Sequence, residues 1–208
     1  MSVTEVTHPL VQHKLGLLRD RETSTADFRR LVNEITLLLT YEATKDMGVE
    51  EVEVETPLER TRAYRIPGKK VAVCPILRAG MGMLDGVLSL IPVARVGFIG
   101  LYRNEETLEP VEYYVKLPAD IAERDVLLLD PMLATGNSTA AAVARLEEAG
   151  AQQITLIALI AAPEGVERIV RAHPDVRIVV ASIDSHLNEK GYIVPGLGDA
   201  GDRLYGTK

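Results

Sequence analysis

The segment LLLDPMLATGNST, residues 127–139, combines residue types that could bind a phosphorylated ligand. An apolar run ends at Asp130, a loop of small residues follows, and Ser138 and Thr139 can begin a helix. The free N–H groups and positive dipole end of a helix start favour phosphate. Because a carboxylate ahead of that site can accept hydrogen bonds from vicinal hydroxyls, the segment fits a ribose 5-phosphate. A plain helix cap after a strand fits it equally well.

Two common nucleotide-binding motifs do not explain this segment. The chain has no GxxxxGK[ST] sequence, so a P-loop is disfavoured. The stretch GLGDAG, residues 196–201, matches GxGxxG, but Pro195 precedes it and only seven residues follow it. We expect no helix and no second βα unit there, and therefore no dinucleotide site. The glycines instead suit close approach of main chain to a flat ligand.

A second candidate is the turn in PILRAGMGM, residues 75–83. Arg78 follows an apolar run and precedes Gly80 and Gly82, which would let main chain come close to a ligand. Arginine presents a planar fork of donors that suits phosphate oxygens. The alternative is an ordinary surface arginine in a strand-to-helix turn.

The elements that must position these residues alternate along the chain. Apolar stretches of strand length alternate with helical stretches, which predicts a mostly parallel sheet flanked by helices, an α/β fold. The predicted strands are 51–56, 71–77, 95–102, 126–130, 154–161 and 177–184. The predicted helices are 24–47, 82–91, 138–150 and 164–173. Ligands of such sheets bind beyond the carboxyl ends of the strands, where Asp130 lies.

Three segments fall outside this alternation in what we expect to be a single domain, residues 1–208. Residues 1–23 suggest an N-terminal arm, and residues 103–118 a hairpin-like flap with weak strand character at 111–117. Residues 185–208 form a glycine-rich tail. The basic stretch 59–70 is most simply a solvated loop, with a subunit contact or an effector site as the alternative.

Composition excludes several classes of function. The net charge is −7, with 23 basic and 30 acidic residues, which argues against broad nucleic-acid binding. The sole cysteine, Cys74, lies in an apolar run and is expected to be a buried thiol. The four histidines lack metal-ligand spacing. No signal peptide and no uninterrupted apolar span is evident, which predicts a cytoplasmic protein without a membrane segment.

Three motifs in order give a specific resemblance. LLLDPMLATGNST is similar to the phosphoribosyl diphosphate (PRPP) loop of type I phosphoribosyltransferases, and its Asp-Pro form resembles the uracil phosphoribosyltransferase branch. ILRAGMGM, residues 76–83, and GYIVPGLGDAGDR, residues 191–203, match the same family. The resemblance implies the family's fold, with a flap and a C-terminal hood over the base. It also implies conversion of uracil and PRPP to UMP and diphosphate.

The resemblance assigns roles to individual residues. Arg78, Arg103 and Asp199 are the implied catalytic residues, and Asp199 also reaches PRPP. Uracil is bound by Ile193, Gly198, Asp199 and Ala200, where main-chain groups can match its N3–H donor and two carbonyl acceptors. The PRPP-binding set is Arg78, Arg103, Asp130, Pro131, Met132, Leu133, Ala134, Thr135, Gly136, Asn137, Ser138 and Asp199.

The loop departs from the family at one position, because Asn137 stands where glycine is common. Asn tolerates a positive φ if the position needs one. No acidic cluster suggests a protein metal site, so Mg²⁺ is expected to arrive with PRPP and water. The family also implies a possible GTP effector and a homodimer or an assembly of dimers.

Two other functions remain open. A phosphoribosyltransferase-like regulator that binds RNA and senses nucleotides would share the scaffold. Such regulators carry two adjacent acids in the loop and a basic face, unlike this chain. A transferase for another base, such as a purine, would usually place an aromatic ring over the base, and neither Tyr192 nor Tyr205 is clearly placed for that.

Overall fold

A computed structural model describes residues 3–67, 71–103 and 110–207, with the side chains of Arg103 and Pro110 left out. Its strands are β1 Val3–Glu5, β2 Glu50–Glu55, β3 Arg60–Arg65, β4 Val71–Leu77, β5 Arg95–Val96, β6 Phe98–Arg103, β7 Pro110–Lys116, β8 Asp125–Leu129, β9 Met132–Leu133, β10 Gln153–Ala161, β11 Arg177–Ile183, β12 His186–Leu187 and β13 Ile193–Val194. Its α-helices are α1 Pro9–Arg19, α2 Thr25–Ala43, α3 Met81–Leu90, α4 Asn137–Glu148, α5 Pro163–Ala172 and α6 Ala200–Tyr205, with a 3₁₀ turn at Ile121–Glu123.

The central sheet is mostly parallel, as the sequence predicts. Its order is β1-β11-β10-β8-β4-β6-β7, with β5 beside β4 and β9 beside β10. Only the β6–β7 pair is antiparallel. Strand β7 of this pair lies within the segment predicted to be a flap, of which residues 104–109 lie outside the described residues. The carboxyl ends of β4, β8 and β11 therefore meet along one edge.

Alternation along each central strand divides the core between two faces of the sheet. In β8, Leu127 and Leu129 pack with helices α1, α2, α3 and α6. The intervening Val126 and Leu128 pack on the other face with α4 and α5. Cys74 of β4 belongs to this second layer and is fully buried, and burial raises the pKa of its thiol to about 12. The prediction of a buried thiol is confirmed.

Most predicted elements are present with shifted ends. Ser24 caps α2, its hydroxyl accepting from the Asp27 N–H at 3.1 Å. The helix ends at Ala43 rather than 47, because Thr44, Lys45 and Asp46 offer no apolar face to bury. The strand predicted at 95–102 is divided at Gly97, whose N–H donates to the carbonyl of Val73.

The N-terminal segment contains elements that the sequence analysis did not assign. β1 is the edge strand of the sheet, pairing in parallel with β11. α1 packs on the sheet through Val11, Leu15 and Leu18, all at most 2% exposed. The alternation of β1 is too short to recognise, and its pairing partner lies more than 170 residues away.

The basic stretch is not a plain loop. Residues 60–65 form β3, which pairs with β2 so that Glu53 faces Arg62 and Glu55 faces Arg60. Opposite charges placed across neighbouring strands stabilise such a ribbon. Sequence reasoning missed β3 because its charges read as solvated until the acidic strand stands beside them. Among the described helices, none is both long and apolar enough to cross a membrane.

Candidate active site

Asp130 stands at the carboxyl end of β8 with few partners. One carboxylate oxygen accepts from the Thr139 hydroxyl at 2.8 Å, and the other accepts from the Met132 N–H at 3.3 Å. Burial raises the pKa of the Asp130 carboxyl to about 6, against these two hydrogen bonds, which lower it. No ion pair to Asp130 occurs among the described side chains. Such a carboxylate has unused accepting capacity for a ligand's hydroxyl groups.

The loop after Asp130 is fixed by the sheet before it reaches the helix. Met132 and Leu133 form β9, beside Ile160 and Ala161 of β10. Leu133 is fully buried, and its carbonyl accepts from the Ala162 N–H at 2.9 Å. Leu133 therefore contributes to the site through its main chain, while its side chain is part of the core.

The end of the loop leaves several donors free. Within the described part of the chain, the N–H groups of Thr135, Gly136, Ser138 and Thr139 donate to no protein acceptor. They lie in the turn before α4 and in its first turn, where a helix dipole favours an anion. The loop can thus hold a phosphate through main-chain groups, as the sequence analysis proposes.

Two details of this loop differ from expectation. The positive φ, +75°, is at Gly136, and Asn137 is the first residue of α4, so Asn137 needs no glycine-like conformation. The Thr139 hydroxyl is buried and donates to Asp130, so it is not available to a phosphate. It therefore orients the carboxylate rather than the anion.

Gly165 is a residue that sequence reasoning missed. A Cβ at this position of α5 would lie 2.3 Å from the carbonyl oxygen of Ala134 and 2.7 Å from that of Leu133. Only glycine lets α5 approach the loop so closely. The sequence signal was faint, a single glycine in the first turn of a helix.

The turn carrying Arg78 lies beside the tail. Arg78 is exposed, and its carbonyl accepts from the Tyr205 hydroxyl at 2.7 Å. Its side chain borders a cleft with Met81 and Tyr205, while the next residue, Ala79, faces Asp130 across a cavity. Arg103 ends β6 at the base of the flap, and its side chain is outside the described set.

The tail contains a helix, contrary to expectation. α6 spans Ala200–Tyr205, and Asp199 caps it by accepting from the Asp202 N–H at 2.9 Å. Six residues suffice because Leu204 is buried against α2 and α3, and Arg203 lies 4.3 Å above the Phe28 ring.

One cavity of about 340 Å³ brings the three motifs together. It is lined by Ala79, Asp130, Pro131, Met132, Ala134, Lys190, Gly191, Tyr192, Gly198, Asp199, Ala200 and Gly201. The phosphate-loop end, residues 135–138, lies beyond its lining. Ile193 is also absent from it, because its side chain is 4% exposed and packs in the core.

The tail side of this cavity is rich in free main-chain groups. Within the described residues, the N–H groups of Gly198, Asp199, Ala200 and Gly201 donate to no protein acceptor. A flat base could accept hydrogen bonds from these N–H groups in the plane of its ring. Tyr192 lines the same cavity, whereas Tyr205 does not.

The acids present fit a substrate-borne Mg²⁺. No group of three or more metal-binding side chains occurs among the described residues. Asp130 and Asp199 line the cavity, and Mg²⁺ is commonly held by one or two carboxylates together with substrate phosphates.

Comparisons with known proteins agree with this arrangement. Residues 5–207 match the family model described as uracil phosphoribosyltransferase. The chain is 63% identical to a uracil phosphoribosyltransferase of Clostridium botulinum (strain Eklund 17B), over 99% of both chains. A uracil phosphoribosyltransferase of Clostridium perfringens (strain 13) is 61% identical over the same shares.

Solved structures extend the likeness to the fold. The AQ2163 protein of Aquifex aeolicus superposes with a TM-score of 0.93 at 43% identity, covering 98% of this chain and 97% of that one. A hypoxanthine phosphoribosyltransferase of Staphylococcus aureus shares the fold alone, with a TM-score of 0.53 and 16% identity over 86% of this chain and 84% of that one. The chain belongs to the uracil phosphoribosyltransferase family.

Proposed function

We propose that this protein transfers the phosphoribosyl group of PRPP to uracil, giving UMP and diphosphate. The observation that carries the proposal is the cavity in which Asp130, ahead of a phosphate-type loop, faces the free main-chain groups of the tail. The family membership supplies the identity of the two substrates.

PRPP would lie along the loop after β8. Asp130 accepts hydrogen bonds from the ribose 2- and 3-hydroxyls. The N–H groups of Thr135, Gly136, Ser138 and Thr139 donate to the 5-phosphate at the start of α4. Pro131 removes the second acid common in related loops, and its carbonyl accepts from Leu159 and Ile160, which fixes the loop to β10.

Arg78 and Arg103 would bind the diphosphate. Bound Mg²⁺ would supply further neutralisation of its charge. Uracil N1 forms the new bond to ribose C1 as the C1–O bond to diphosphate breaks. The electron pair of that C1–O bond leaves with diphosphate, and the N1 proton is released to solvent. Positioning and charge stabilisation account for most of the acceleration in such a step. The flap strands β6 and β7 suit a cover that excludes water from C1.

Uracil would bind against the tail. The free N–H groups of residues 198–201 match carbonyl oxygens of the base, and the free carbonyl of Gly198 matches its N3–H. Cytosine reverses donor and acceptor at that edge, leaving polar groups unpaired. A site built on such hydrogen bonds can discriminate by about 10⁴-fold. Tyr192 would contact the face of the ring.

The decisive test is product formation. The protein is incubated with PRPP and Mg²⁺ and, separately, with uracil, cytosine, hypoxanthine or adenine, and nucleotide and diphosphate are quantified. We expect UMP and equimolar diphosphate from uracil alone. Nucleotide from a purine and none from uracil would overturn the proposal.

Two further properties of the family resemblance belong to the same proposal. GTP would act as an effector, and the functional unit would be a homodimer or an assembly of dimers. Addition of GTP to the uracil assay tests the first, and sedimentation equilibrium tests the second. An unchanged rate, or a monomer at assay concentration, would contradict them.

A further inference from the structure

An ion pair outside the cavity holds the tail in place. The guanidinium of Arg19, the last residue of α1, donates to both carboxylate oxygens of Asp184, at 2.7 and 2.5 Å. Asp184 follows β11 at the same edge of the sheet as Asp130. Its carboxylate also accepts from the Ser182 hydroxyl at 2.9 Å and from the Gly196 N–H at 2.8 Å.

The same pair engages both main-chain polar groups of one residue. Arg19 donates a further hydrogen bond to the carbonyl of Gly196 at 2.6 Å, so Gly196 gives its N–H to Asp184 and its carbonyl to Arg19. The Asp184 side chain is 2% exposed and that of Arg19 is 23% exposed. Three of the five N–H donors of Arg19 and both carboxylate oxygens of Asp184 are hydrogen-bonded here, which favours one geometry of the pair.

Gly196 lies close in the chain to the main-chain groups proposed to bind uracil, so a small movement of Gly196 would displace those groups. It has φ of +66°, and a Cβ there would lie 2.1 Å from the carbonyl oxygen of Ile193. Two residues later comes Gly198, the first of the main-chain groups that face the cavity. Between them, Leu197 is buried, and its carbonyl accepts from Arg203 at 2.9 Å. The position of 198–200 therefore depends on how Gly196 is held.

We propose that Arg19 and Asp184 are positioning residues that set the geometry of the uracil-binding main chain by clamping Gly196. This inference rests on the proposed function. Neither side chain lines the cavity, so both act through Gly196 and not by touching substrate. The effect of losing the clamp falls on uracil, because the phosphate loop is anchored separately, to β10 and α5.

The test separates the two substrates kinetically. Asp184→Asn keeps the shape of the side chain and removes its charge. Arg19→Lys keeps the charge but replaces the planar two-nitrogen fork, which spans both carboxylate oxygens, by a single nitrogen. For each variant we expect the KM for uracil to rise about tenfold or more, since small misplacements of binding groups are costly. The KM for PRPP should stay within about twofold, because its binding groups keep their supports.

A matched control is available on the same helix. Lys14 of α1 pairs with Glu34 of α2 at 2.6 Å, a part-buried pair without contact to the tail. Lys14→Met should leave both KM values unchanged. A wild-type protein that makes no UMP would defeat the proposed function itself. A wild type that makes UMP, with folded Arg19→Lys protein showing an unchanged KM for uracil or equal rises for both substrates, would overturn only the clamp. If Asp184→Asn fails to fold, Arg19→Lys alone decides.

Discussion

Asp130 and Asp184 stand at the same edge of the sheet and have opposite environments. Asp184 is surrounded by donors, including Arg19, which outweigh burial and hold the pKa of its carboxyl below the ordinary value. Asp130 has two neutral donors, and burial raises its pKa to about 6. A carboxylate whose hydrogen-bonding capacity is filled by protein groups stabilises the fold. A carboxylate with unused capacity is available to a ligand.

The largest effect on PRPP kinetics is expected from substitution of Asp130. Asp130→Asn should lower kcat/KM for PRPP by about 10²- to 10³-fold, since hydrogen bonds to charged groups are worth about 1.5–3 kcal/mol each. Steady-state kinetics with PRPP varied at saturating uracil measures this. Asp125→Asn, at the other end of the same strand, is the control and should be close to wild type. Equal losses in the two variants would contradict the assignment.

A second effect tests whether the loop beside Asp130 depends on close contact with α5. Gly165→Ala should lower kcat/KM for PRPP by about 10- to 100-fold, because the new Cβ displaces the carbonyls of Leu133 and Ala134. Gly16→Ala in α1, where a Cβ meets nothing within 4 Å, is the matched control. It should keep full activity and gain about 0.5–1 kcal/mol of stability. Full activity in Gly165→Ala would show that the loop is not held there.

The contrast between Asp130 and Asp184 predicts that their Asn variants differ oppositely from wild type in the pH dependence of the free energy of unfolding. Asp184→Asn should lose about 2 kcal/mol of unfolding free energy at pH 7, because it leaves Arg19 without its counter-charge. Its deficit should shrink as pH falls below about 3.8, since Asp184 has a depressed pKa in the fold. Asp130→Asn should gain stability relative to wild type as pH rises from about 3.8 to about 6, since ionising Asp130 is unfavourable in the fold.

Urea unfolding of wild type and both variants from about pH 2 to 8 measures these differences. For each variant, the wild-type free energy of unfolding is subtracted from that of the variant and plotted against pH. If this difference changed in the same direction with rising pH for both variants, the contrast between the two aspartates would be contradicted.

The smallest effect concerns the hydroxyl that orients Asp130. Thr139→Val removes a hydrogen bond that lowers the pKa of Asp130, so that pKa should rise. The pH profile of kcat/KM for PRPP should move to higher pH by the same amount. Ser138→Ala is the neighbouring control, because its side chain does not contact Asp130. An unshifted Thr139→Val profile would rule out this role for Thr139.

The sequence predicts the sheet because its central strands are apolar on both faces, and it predicts the loop because residue types and spacing are local there. The three motifs also identify the family. β1, β3 and α6 escape prediction because each is stabilised by a distant partner: β11, the acidic strand β2, and the α2–α3 surface with Phe28. Short elements carry too little periodicity to stand out alone.

The supports of the site were hidden for the same reason. Arg19 and Asp184 lie 165 residues apart, and each looks like an ordinary end of an element. Thr139 is one residue of a helix start in the sequence, and its contact with Asp130 exists only in the fold. Gly165 matters only through the backbone it touches. Long-range contacts of this kind have no signature in a single sequence.

On this interpretation of the site, Asp130 must be ionised to bind the ribose of PRPP. The most direct test is the ratio of kcat/KM for PRPP in wild type to that in Asp130→Asn, measured from pH 5 to 8.5. The ratio cancels the ionisation of PRPP itself. We predict a ratio that rises with pH, reaches half its maximum near pH 6 and is flat above about pH 7. A ratio that is constant from pH 5 to 8.5 would show that PRPP binding does not require ionised Asp130.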